Sequence, residues 1–386
     1  SIKSLFVRIE SGNCVIENNH GKISSYDYSF NFFSKKLKNI IIKNKFSWVV
    51  LKNMPCKIEY TIHNRKSSIV EALGDFKLID QVTPYQNVYY LKMSLRKYYF
   101  YSIVRRTRPF FVKFYINNTP RLIIPLSKSF FSSKYYFYGD KSGFGYLDLI
   151  YADSVSVSEI NSCIKILIND LSPLVFIFNR MRKDSLFHEA IRSFSCVKSS
   201  EIAVKIDLKG SYDDYFNLLS KNARQNFRTA NNRLLKDSRV VNFFSIPGKG
   251  ISNDTLSKIK NLYLDRIKSY KKNITFIDRL FYNSYDLGFY GLSHLDFSEV
   301  FLLEIDGELA AFMICLSDKN QIIVPRLAID NSFSFYSPGV ILAMSAIKEI
   351  INRKSDVKII DFMQGQEKYK YQIGGYEHEV LSLEIS

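Results

Sequence analysis

The chain has 386 residues, of which 46% are apolar, so it can fill two ordinary domain cores and is not a generally disordered protein. It has no run of about eighteen apolar residues, which argues against a membrane-spanning helix. The first residues lack the apolar segment and small-residue cleavage site of a secretory signal, and they are predicted to form a strand. We therefore expect a cytoplasmic protein.

The formal net charge of +17 favours an anionic partner, such as a nucleotide, coenzyme A, tRNA or a membrane face. A lysine-rich solvated surface is the alternative, and the charge alone does not decide between them. The five cysteines are scattered, with no CxxC pair and no neighbouring histidine, so we expect reduced thiols and no metal site.

The first clear unit along the chain is a hairpin, FFVKFYINNTPRLIIPL, whose turn lies at Asn117-Asn118 because asparagine accepts the positive φ of a tight turn. It leads to a predicted helix, VSEINSCIKILINDL, and a short apolar strand, LVFIF. The following segment, residues 193–204, is polar and rich in small residues, and we interpret it as the join between two domains.

Residues 211–236 have the clearest helical periodicity of the chain, with apolar side chains three and four positions apart. The apolar positions are Phe216, Leu219, Ala223, Phe227, Ala230 and Leu234. Lys221, Arg224 and Arg228 fall on another face, which is either a solvated basic surface or a clamp for phosphate oxygens. A second basic helix follows, and it carries Tyr263, Arg266 and Lys268.

The first unit recurs in the second half of the chain. VFLLEIDGELAAFMICL is a hairpin with its turn at Asp306-Gly307, and it precedes the strand QIIVPRLAID, the helix GVILAMSAIKEIIN and the strand VKIIDF. The repeated order predicts an internal duplication and an α/β (α+β) fold of two tandem domains, each a mixed twisted sheet flanked by helices. We expect the domains to be residues 1–195 and 196–386.

Ser337, Pro338 and Gly339 begin the helix of the second unit. Serine is a good N-cap, and proline suits the first helical turn. Unpaired N–H groups and the helix dipole make such a start an anion site, and Gly339 would let a phosphate approach the backbone. The alternative is an ordinary, well-capped core helix.

Four segments stand in an order and spacing that resemble the GNAT acyltransferases, in particular the branch described as CelD-like, after cellulose biosynthesis. They are SKNARQNFRTANNRLL, DGELAAFMICL, AIDNSFSFYSPGVILAM and DFMQGQEKYKYQIGG. That branch is related to the Fem peptidyltransferases, which carry two GNAT-like domains. The loop YSPGV departs from the glycine-rich pyrophosphate loop of other GNAT enzymes.

The resemblance implies a degenerate N-terminal GNAT-like domain and a C-terminal acyltransferase domain with acetyl-CoA, or another acyl-CoA, as co-substrate. It implies donor contacts on the last strand before the helix and at the helix start: Arg326, Leu327, Ala328, Ser337, Pro338 and Gly339.

Asp361 ends the strand VKIID, so its carboxylate is predicted to face the cleft where the sheet splays and to accept a proton from an attacking amine. A structural aspartate that caps the next turn is the alternative. The resemblance implies that Lys370 stabilises negative charge on the acyl carbonyl, and a surface lysine is the alternative. Tyr369 and Tyr371 alternate with Lys370, so one is expected to be buried and the other to line the site.

His294, His378 and Glu304 are weaker candidates for the general base. No Ser-His-Asp or Cys-His set can be assembled from the sequence, which favours direct attack of an amine on a thioester over a covalent acyl-enzyme.

Together these expectations favour an N-acyltransferase whose preferred acceptor is a nucleotide-linked amino sugar of surface polysaccharide (O-antigen or capsule) biosynthesis. Arg224 and Arg228 are expected to bind the diphosphate of the sugar or of CoA, and the other predicted substrate contacts are Tyr263, Arg266 and Tyr369. A Fem-like transfer from aminoacyl-tRNA onto a cell-wall precursor is the alternative, although the chain has no heptad run for a long helical arm. A non-catalytic scaffold is a third class of function.

Overall fold

A computed structural model describes residues 4–10, 13–18, 21–27, 48–51, 57–74, 83–95, 106–140, 145–152, 154–172, 175–270, 295–318, 320–354 and 356–385. The chain divides into two compact units, one of Ser1–Glu59 with Tyr115–Thr119 and one of Tyr60–Phe114 with Pro120–Ser386. The compact unit that includes Ser1–Glu59 contains a four-stranded sheet in the order β3-β2-β1-β4. Its strands are β1 (Ser4–Glu10), β2 (Asn13–Asn18), β3 (Gly21–Asp27) and β4 (Trp48–Leu51). The strand predicted at the N-terminus is thus confirmed.

A thirteen-stranded mixed sheet holds the remaining strands. They are β5 (Ile58–His63), β6 (Thr107–Ile116), β7 (Thr119–Ser129), β8 (Lys134–Phe137), β9 (Ile150–Tyr151), β10 (Val175–Arg182), β11 (Cys196–Asp207), β12 (Val241–Pro247), β13 (Ser298–Ile305), β14 (Glu308–Ser317), β15 (Gln321–Ile329), β16 (Ile359–Gln364) and β17 (Tyr376–Ile385). Their order is β12-β13-β14-β15-β16-β11-β17-β10-β8-β7-β6-β5, and β9 pairs with β7.

Helices flank this sheet. They are α1 (Lys66–Gly74), α2 (residues 88–95), α3 (Val157–Leu171), α4 (Leu186–Ile191), α5 (Tyr212–Leu218), α6 (Lys221–Lys236), α7 (Asn253–Tyr270), α8 (Pro338–Arg353) and α9 (Lys368–Gln372). Short 3-10 turns lie at Pro84–Gln86, Gly248–Gly250 and Asn331–Tyr336.

The predicted duplication is confirmed by the strand pairing. In the first repeat β7 pairs antiparallel with β8, and β8 pairs parallel with β10 across the helix α3. In the second repeat β14 pairs antiparallel with β15, and β15 pairs parallel with β16 across α8. The tight turns of both hairpins have positive φ, with 51° at Asn117 and 54° at Asp306. The predicted α/β class with two tandem repeats is therefore correct.

The two repeats exchange their last strands. The strand β11 follows the first repeat but pairs with β16 of the second, whereas β17 follows the second repeat and pairs with β10 of the first. β11 and β17 also pair antiparallel with each other, so one sheet runs through both repeats. The segment 193–204, interpreted as a join, lies largely within β11. The domain boundary between residues 195 and 196 stays a prediction.

The predicted helix over residues 211–236 is two helices. Leu219 is extended and buried, and Ser220 begins α6 by accepting a hydrogen bond from the Ala223 N–H through its side chain. Ser211 forms a capping box with Asp214 at the start of α5. The apolar spacing continues across the break because both helices pack on the same core.

A buried carboxylate joins α8 to the sheet. Glu299 on β13 is 6% exposed, and it accepts hydrogen bonds from Arg353 Nη2 at 2.6 Å and Lys354 Nζ at 2.8 Å. The hydroxyl of Ser245 on β12 donates to the same carboxylate. Burial opposes ionisation, but these hydrogen bonds and the Lys354 charge hold the pKa of Glu299 below its usual range.

Glu299→Gln is expected to lower the free energy of unfolding by about 2 kcal/mol, because it leaves the partly buried Lys354 without its counter-charge and removes the buried partner of Arg353. Urea unfolding at neutral pH measures this loss. Glu349→Gln is the matched control, since Glu349 pairs with the same Arg353 on the helix surface at 2.7 Å, and such pairs contribute about 0.3–0.5 kcal/mol. Equal losses in the two variants would contradict the account of this cluster.

The same cluster predicts a pH dependence. The folded-state pKa of Glu299 lies below that of the unfolded chain, which is about 4.3. Its contribution is therefore complete above that pH and is lost as the pH falls through the folded-state pKa. The stability difference between the wild type and Glu299→Gln should stay constant above about pH 5 and shrink as the pH falls below about 4.

Candidate active site

The parallel strands β15 and β16 separate after three residue pairs. Gln321, Ile322 and Ile323 face residues 359–361, and beyond that point no pairing joins the two strands. A cavity of about 260 Å³ opens where they diverge, and we call it the strand cavity. Among its lining residues are Val324, Pro325 and Arg326 from β15 and Phe362, Met363 and Gln364 from β16.

A second cavity, of about 450 Å³, lies at the start of α8, and we call it the helix cavity. Among its lining residues are Leu327, Ala328, Ile329, Ser337, Gly339 and Val340. Four residues line both cavities: Arg266, Leu327, Glu367 and Tyr369. The predicted donor residues other than Pro338 therefore lie along two adjoining cavities, and so does Lys370.

The start of α8 differs from the predicted anion site. Ser337 adopts the left-handed conformation with φ of 52°, and its side chain caps no N–H. Pro338 has no N–H, and the N–H groups of Val340 and Ile341 both donate to the Ser337 carbonyl. In this turn, which the structure describes in full, the Gly339 amide is thus the one donor left for a ligand. The prediction of several open donors was wrong because the left-handed Ser337 turns its own carbonyl onto them.

Lys370 is buried, with 2% of its surface exposed, and it lines the strand cavity. Its Nζ donates to the carbonyls of Met363, Gln364 and Gly365 at 3.2, 2.9 and 3.0 Å, and it lies 2.9 Å from Glu367 Oε2. Burial lowers the pKa of Lys370, while Glu367 acts in the opposite direction. The surface-lysine alternative is excluded by this burial.

The residues around Lys370 form the helix α9 and not the extended segment implied by the alternation of Tyr369 and Tyr371. Lys370 itself is the buried residue of the three, which the strand pattern did not predict. Tyr369 packs edge-on against Phe362 at 6.1 Å and lines both cavities, and burial raises its pKa. The hydroxyl of Tyr371 donates to Glu377 at 2.7 Å, away from both cavities.

Glu367 is the carboxylate where the two cavities meet, and the sequence did not single it out. It lies 3.3 Å from Arg266 Nη2 and 2.9 Å from Lys370 Nζ. Burial opposes its ionisation, but the Lys370 ammonium beside it holds the pKa of Glu367 below the usual range. The side chain is 39% exposed, against 2% for Lys370, so Glu367 is the more accessible member of the pair.

Three further predicted residues lie at the strand cavity. Arg266 on α7 also donates to the Leu327 carbonyl, which ties that helix to β15. Arg326 Nη1 donates to the Tyr263 hydroxyl at 3.1 Å, and its guanidinium lies 4.9 Å from the centre of the Tyr263 ring. The structure thus brings together Tyr263, Arg266 and Arg326 as a basic and aromatic wall.

Asp361 lines neither cavity. It is 2% exposed and accepts hydrogen bonds from the Tyr146 hydroxyl at 2.9 Å and the Met363 N–H at 2.7 Å. His378 Nε2 lies 3.2 Å from the same carboxylate. Burial raises the pKa of Tyr146, and the charge of Asp361 raises it further. The geometry therefore gives no support to Asp361 as the general base, and the prediction that it faces the cleft was wrong.

The remaining candidates lie away from the cavities. Arg224 Nη1 donates to the Asn217 carbonyl at 2.6 Å, and the Arg228 guanidinium lies 5.9 Å from the Phe216 ring centre. Neither arginine lines a cavity described above, and their role as a phosphate clamp stays a prediction. Glu304 on β13 lies opposite Asn242 on the neighbouring strand β12. His294 lies outside the described residues.

The first repeat carries aromatic residues at the position that corresponds to Lys370 in chain order. Each repeat has a residue with positive φ in the strand after its long helix, Arg180 in β10 and Met363 in β16. The short helix that follows carries buried Phe187 in the first repeat, whose ring packs against Phe137 and Phe178 at 5.6 and 4.9 Å. Phe187 follows Arg180 by seven residues, the same offset by which Lys370 follows Met363, so an aromatic cluster holds the position that corresponds to Lys370 in chain order.

The described residues contain no group of three histidine, cysteine, aspartate or glutamate side chains placed to hold a metal ion. Among the helices within those same residues, none is long and apolar enough to cross a membrane.

Residues 221–371 match the family described as "Acetyltransferase (GNAT) domain". The matched segment contains all the lining residues of both cavities except Gln372, together with the predicted donor and catalytic residues of the second repeat. The match covers less than half of the chain. It does not distinguish the CelD-like branch from other GNAT acyltransferases, so membership of that branch stays a prediction. No curated protein matches the chain.

Several solved structures share the fold. FemX aligns with a TM-score of 0.54 at 11% identity, over 85% of this chain and 97% of its own. A conserved protein of unknown function from Bacteroides thetaiotaomicron aligns with a TM-score of 0.51 at 10% identity, over 86% of this chain and 100% of its own. The C-terminal domain of a putative lysylphosphatidylglycerol synthetase from Agrobacterium fabrum aligns with a TM-score of 0.50 at 10% identity, over 83% and 92%. At these identities the likeness shows a common fold.

Proposed function

We propose that the protein is an N-acyltransferase that transfers an acetyl or short acyl group from acyl-CoA to an amino group. The observation that carries this proposal is the pair of adjoining cavities, which extends from the start of α8 to Lys370. The phosphates of CoA would lie near Ser337–Gly339, and the thioester would extend between β15 and β16. The cavity volumes lie in or close to the range that small-molecule ligands occupy in proteins.

In the proposed reaction the ammonium of the bound acceptor first loses one proton to solvent, and the neutral amine then attacks the thioester carbonyl directly. The N–C bond forms, the C–S bond breaks, and a proton lost by the amine nitrogen ends on the departing sulfur. The buried Lys370 ammonium would stabilise the negative charge that develops on the carbonyl oxygen. Four oxygens already surround its Nζ, so the lysine would act chiefly through its field, at a site of low dielectric.

Glu367 would hold the amino group of the acceptor and accept its proton on the way to the sulfur. Its low pKa keeps it ionised at neutral pH, which suits binding of an ammonium. Its exposure at the junction of the two cavities supports this role over that of the enclosed Asp361.

A nucleotide-linked amino sugar is the acceptor that we propose, in cytoplasmic synthesis of a surface polysaccharide such as O-antigen or capsule. This choice rests on the resemblance to the CelD-like branch and on the polar wall of the strand cavity, which includes Tyr263, Arg326 and Gln364. These side chains can hydrogen-bond sugar hydroxyls.

The alternative is a Fem-like aminoacyl transfer from tRNA to a cell-wall precursor, which the net charge of +17 also suits. Calorimetry with acetyl-CoA tests the proposal first, and we expect a dissociation constant in the micromolar range. Release of free CoA thiol is then followed with nucleotide-linked amino sugars as acceptors. No heat with acyl-CoA, together with tRNA binding that weakens steeply with salt, would favour the Fem-like reaction. No binding of either donor would favour a scaffold.

Arg266→Ala is expected to raise the KM of the acceptor about tenfold, because it removes the guanidinium that lines both cavities and pairs with Glu367. The double variant Arg224→Ala and Arg228→Ala is the comparison. If Arg224 and Arg228 bind the diphosphate of the acceptor, the KM of the acceptor in the double variant rises as much as it does in Arg266→Ala. An unchanged KM would assign them to the solvated face of α6. Steady-state kinetics over a range of acceptor concentrations separates these outcomes.

A further inference from the structure

A loop of the first repeat contacts the site of the second. Tyr146 is 1% exposed, and its hydroxyl lies 2.9 Å from each oxygen of Asp361 and 3.4 Å from His378 Nε2. The backbone on either side is also engaged: the Gly145 carbonyl accepts from Gln364 Nε2 at 3.2 Å, and the Leu147 N–H donates to the Arg180 carbonyl at 3.1 Å. We call residues 145–147 the bridging loop, since they touch the irregular parts of both β10 and β16.

Asp361 connects the bridging loop to a strained residue. Its Oδ1 accepts the N–H of Met363 at 2.7 Å, and Met363 has a φ of 59°, which side chains other than glycine rarely adopt. A residue held in such a conformation needs its surroundings to specify it, and here the carboxylate of Asp361 does so.

The side chain of Met363 is enclosed by the same loop. A Cβ added to Gly145 would lie 1.6 Å from Met363 Cε and 2.9 Å from a ring carbon of Tyr85. The Tyr85 hydroxyl lies 3.6 Å from Met363 Sδ. Only a glycine fits at position 145 while Met363 keeps its place.

The strained backbone in turn holds Lys370. The carbonyls of Met363, Gln364 and Gly365 all accept from Lys370 Nζ, so the direction of these three oxygens depends on the conformation of Met363. A continuous set of contacts therefore runs from Tyr146 through Asp361 and Met363 to Lys370.

We propose that the bridging loop and Asp361 are positioning elements that fix the Lys370 ammonium at the strand cavity. This assigns a task to the first repeat, whose own position for a site is filled by Phe187 and its neighbours. It also assigns Asp361 a role that does not require contact with substrate. The consequence for catalysis rests on the proposed acyl transfer, whereas the geometric claim does not.

Tyr146→Phe tests the geometric claim without any substrate. Reductive methylation with formaldehyde, quantified at Lys370 by peptide mass spectrometry, should be slow in the wild type because the amine is buried and bonded. We expect the variant to react about fivefold faster or more, since the carbonyls that hold Nζ lose their support. Tyr60→Phe is the matched control, because the Tyr60 hydroxyl also donates to a carboxylate, that of Asp170, at 2.9 Å. The methylation rate of Lys370 in this variant should equal that of the wild type.

Gly145→Ala is the second variant, and it perturbs Met363 by crowding without removing a hydrogen-bond donor. Circular dichroism and thermal melting identify any variant that does not fold. In folded protein we expect kcat for acyl transfer to fall about tenfold in either variant, with the KM of acyl-CoA within about twofold of the wild type. Unchanged methylation of Lys370 in both variants would overturn the inference. Absence of acyl transfer in the wild type, with altered methylation in the variants, would count against the proposed function alone.

Discussion

Lys370→Met is expected to lower kcat for acyl transfer by about 10²–10³-fold, the loss seen when one fixed electrostatic donor is removed from a developing oxyanion. The ammonium is buried at the strand cavity and lies among four oxygens, and methionine places no charge there. Methionine keeps much of the length and apolar bulk of the lysine stem. The KM of the donor should change little, because the phosphate end of the donor is proposed to lie at the start of α8.

Lys368→Met is the control for this variant, since Lys368 is exposed on the same short helix. It should retain the kcat of the wild type. Because Lys370 also ties three carbonyls together, thermal melting of both variants must accompany the kinetics. A folded Lys370→Met enzyme with kcat within about threefold of the wild type would remove Lys370 from the proposed mechanism.

Glu367→Gln is expected to lower kcat by about 10²-fold, the usual contribution of a positioned proton acceptor. Glutamine preserves the shape of the side chain but neither accepts a proton nor holds an ammonium through charge. The KM of the amino acceptor should rise because the variant no longer binds an ammonium through charge. The dissociation constant of acyl-CoA should stay within about threefold of the wild type, because the donor carries no ammonium that Glu367 could bind. Initial rates for the acceptor and calorimetry for the donor separate the two effects.

The matched control is Glu377→Gln, which changes an exposed carboxylate nearby that bonds Tyr371 and Gln366. Its kinetic constants should equal those of the wild type. If Asp361→Asn lowered kcat with a new pH dependence while Glu367→Gln left it unchanged, the assignment of the proton acceptor would have to return to Asp361.

The duplicated fold could be predicted because the elements of each repeat are marked by short-range sequence patterns. Asn117-Asn118 and Asp306-Gly307 mark two tight turns, and the order of hairpin, strand, helix and strand after each turn is readable from periodicity. The exchange of β11 and β17 could not be predicted in the same way. Both strands pair with strands that are distant in the sequence, and no short-range pattern indicates which repeat the last strand of a repeat pairs with.

The site was predicted in part. Lys370 and the start of α8, whose positions the resemblance to known acyltransferases supplied, lie along adjoining cavities, and their roles there stay predictions. Asp361 was placed in the cleft since it ends an apolar strand, but the positive φ of Met363 changes which residues of β16 face the cavity. Glu367 was missed because a glutamate between Gln366 and Lys368 looks like a solvated residue. The spacing of Glu367 and Lys370, three residues apart on a helix, was the one signal that could have indicated the pair.

The crystal structure of the protein with a non-reactive acyl-CoA thioether tests the central claim most directly. We predict the phosphates beside Ser337–Gly339 and the acyl carbonyl in the strand cavity, with its oxygen directed towards Lys370 and its sulfur between β15 and β16. A ligand bound elsewhere on the chain, or a strand cavity closed by side chains while the donor is bound, would contradict the account.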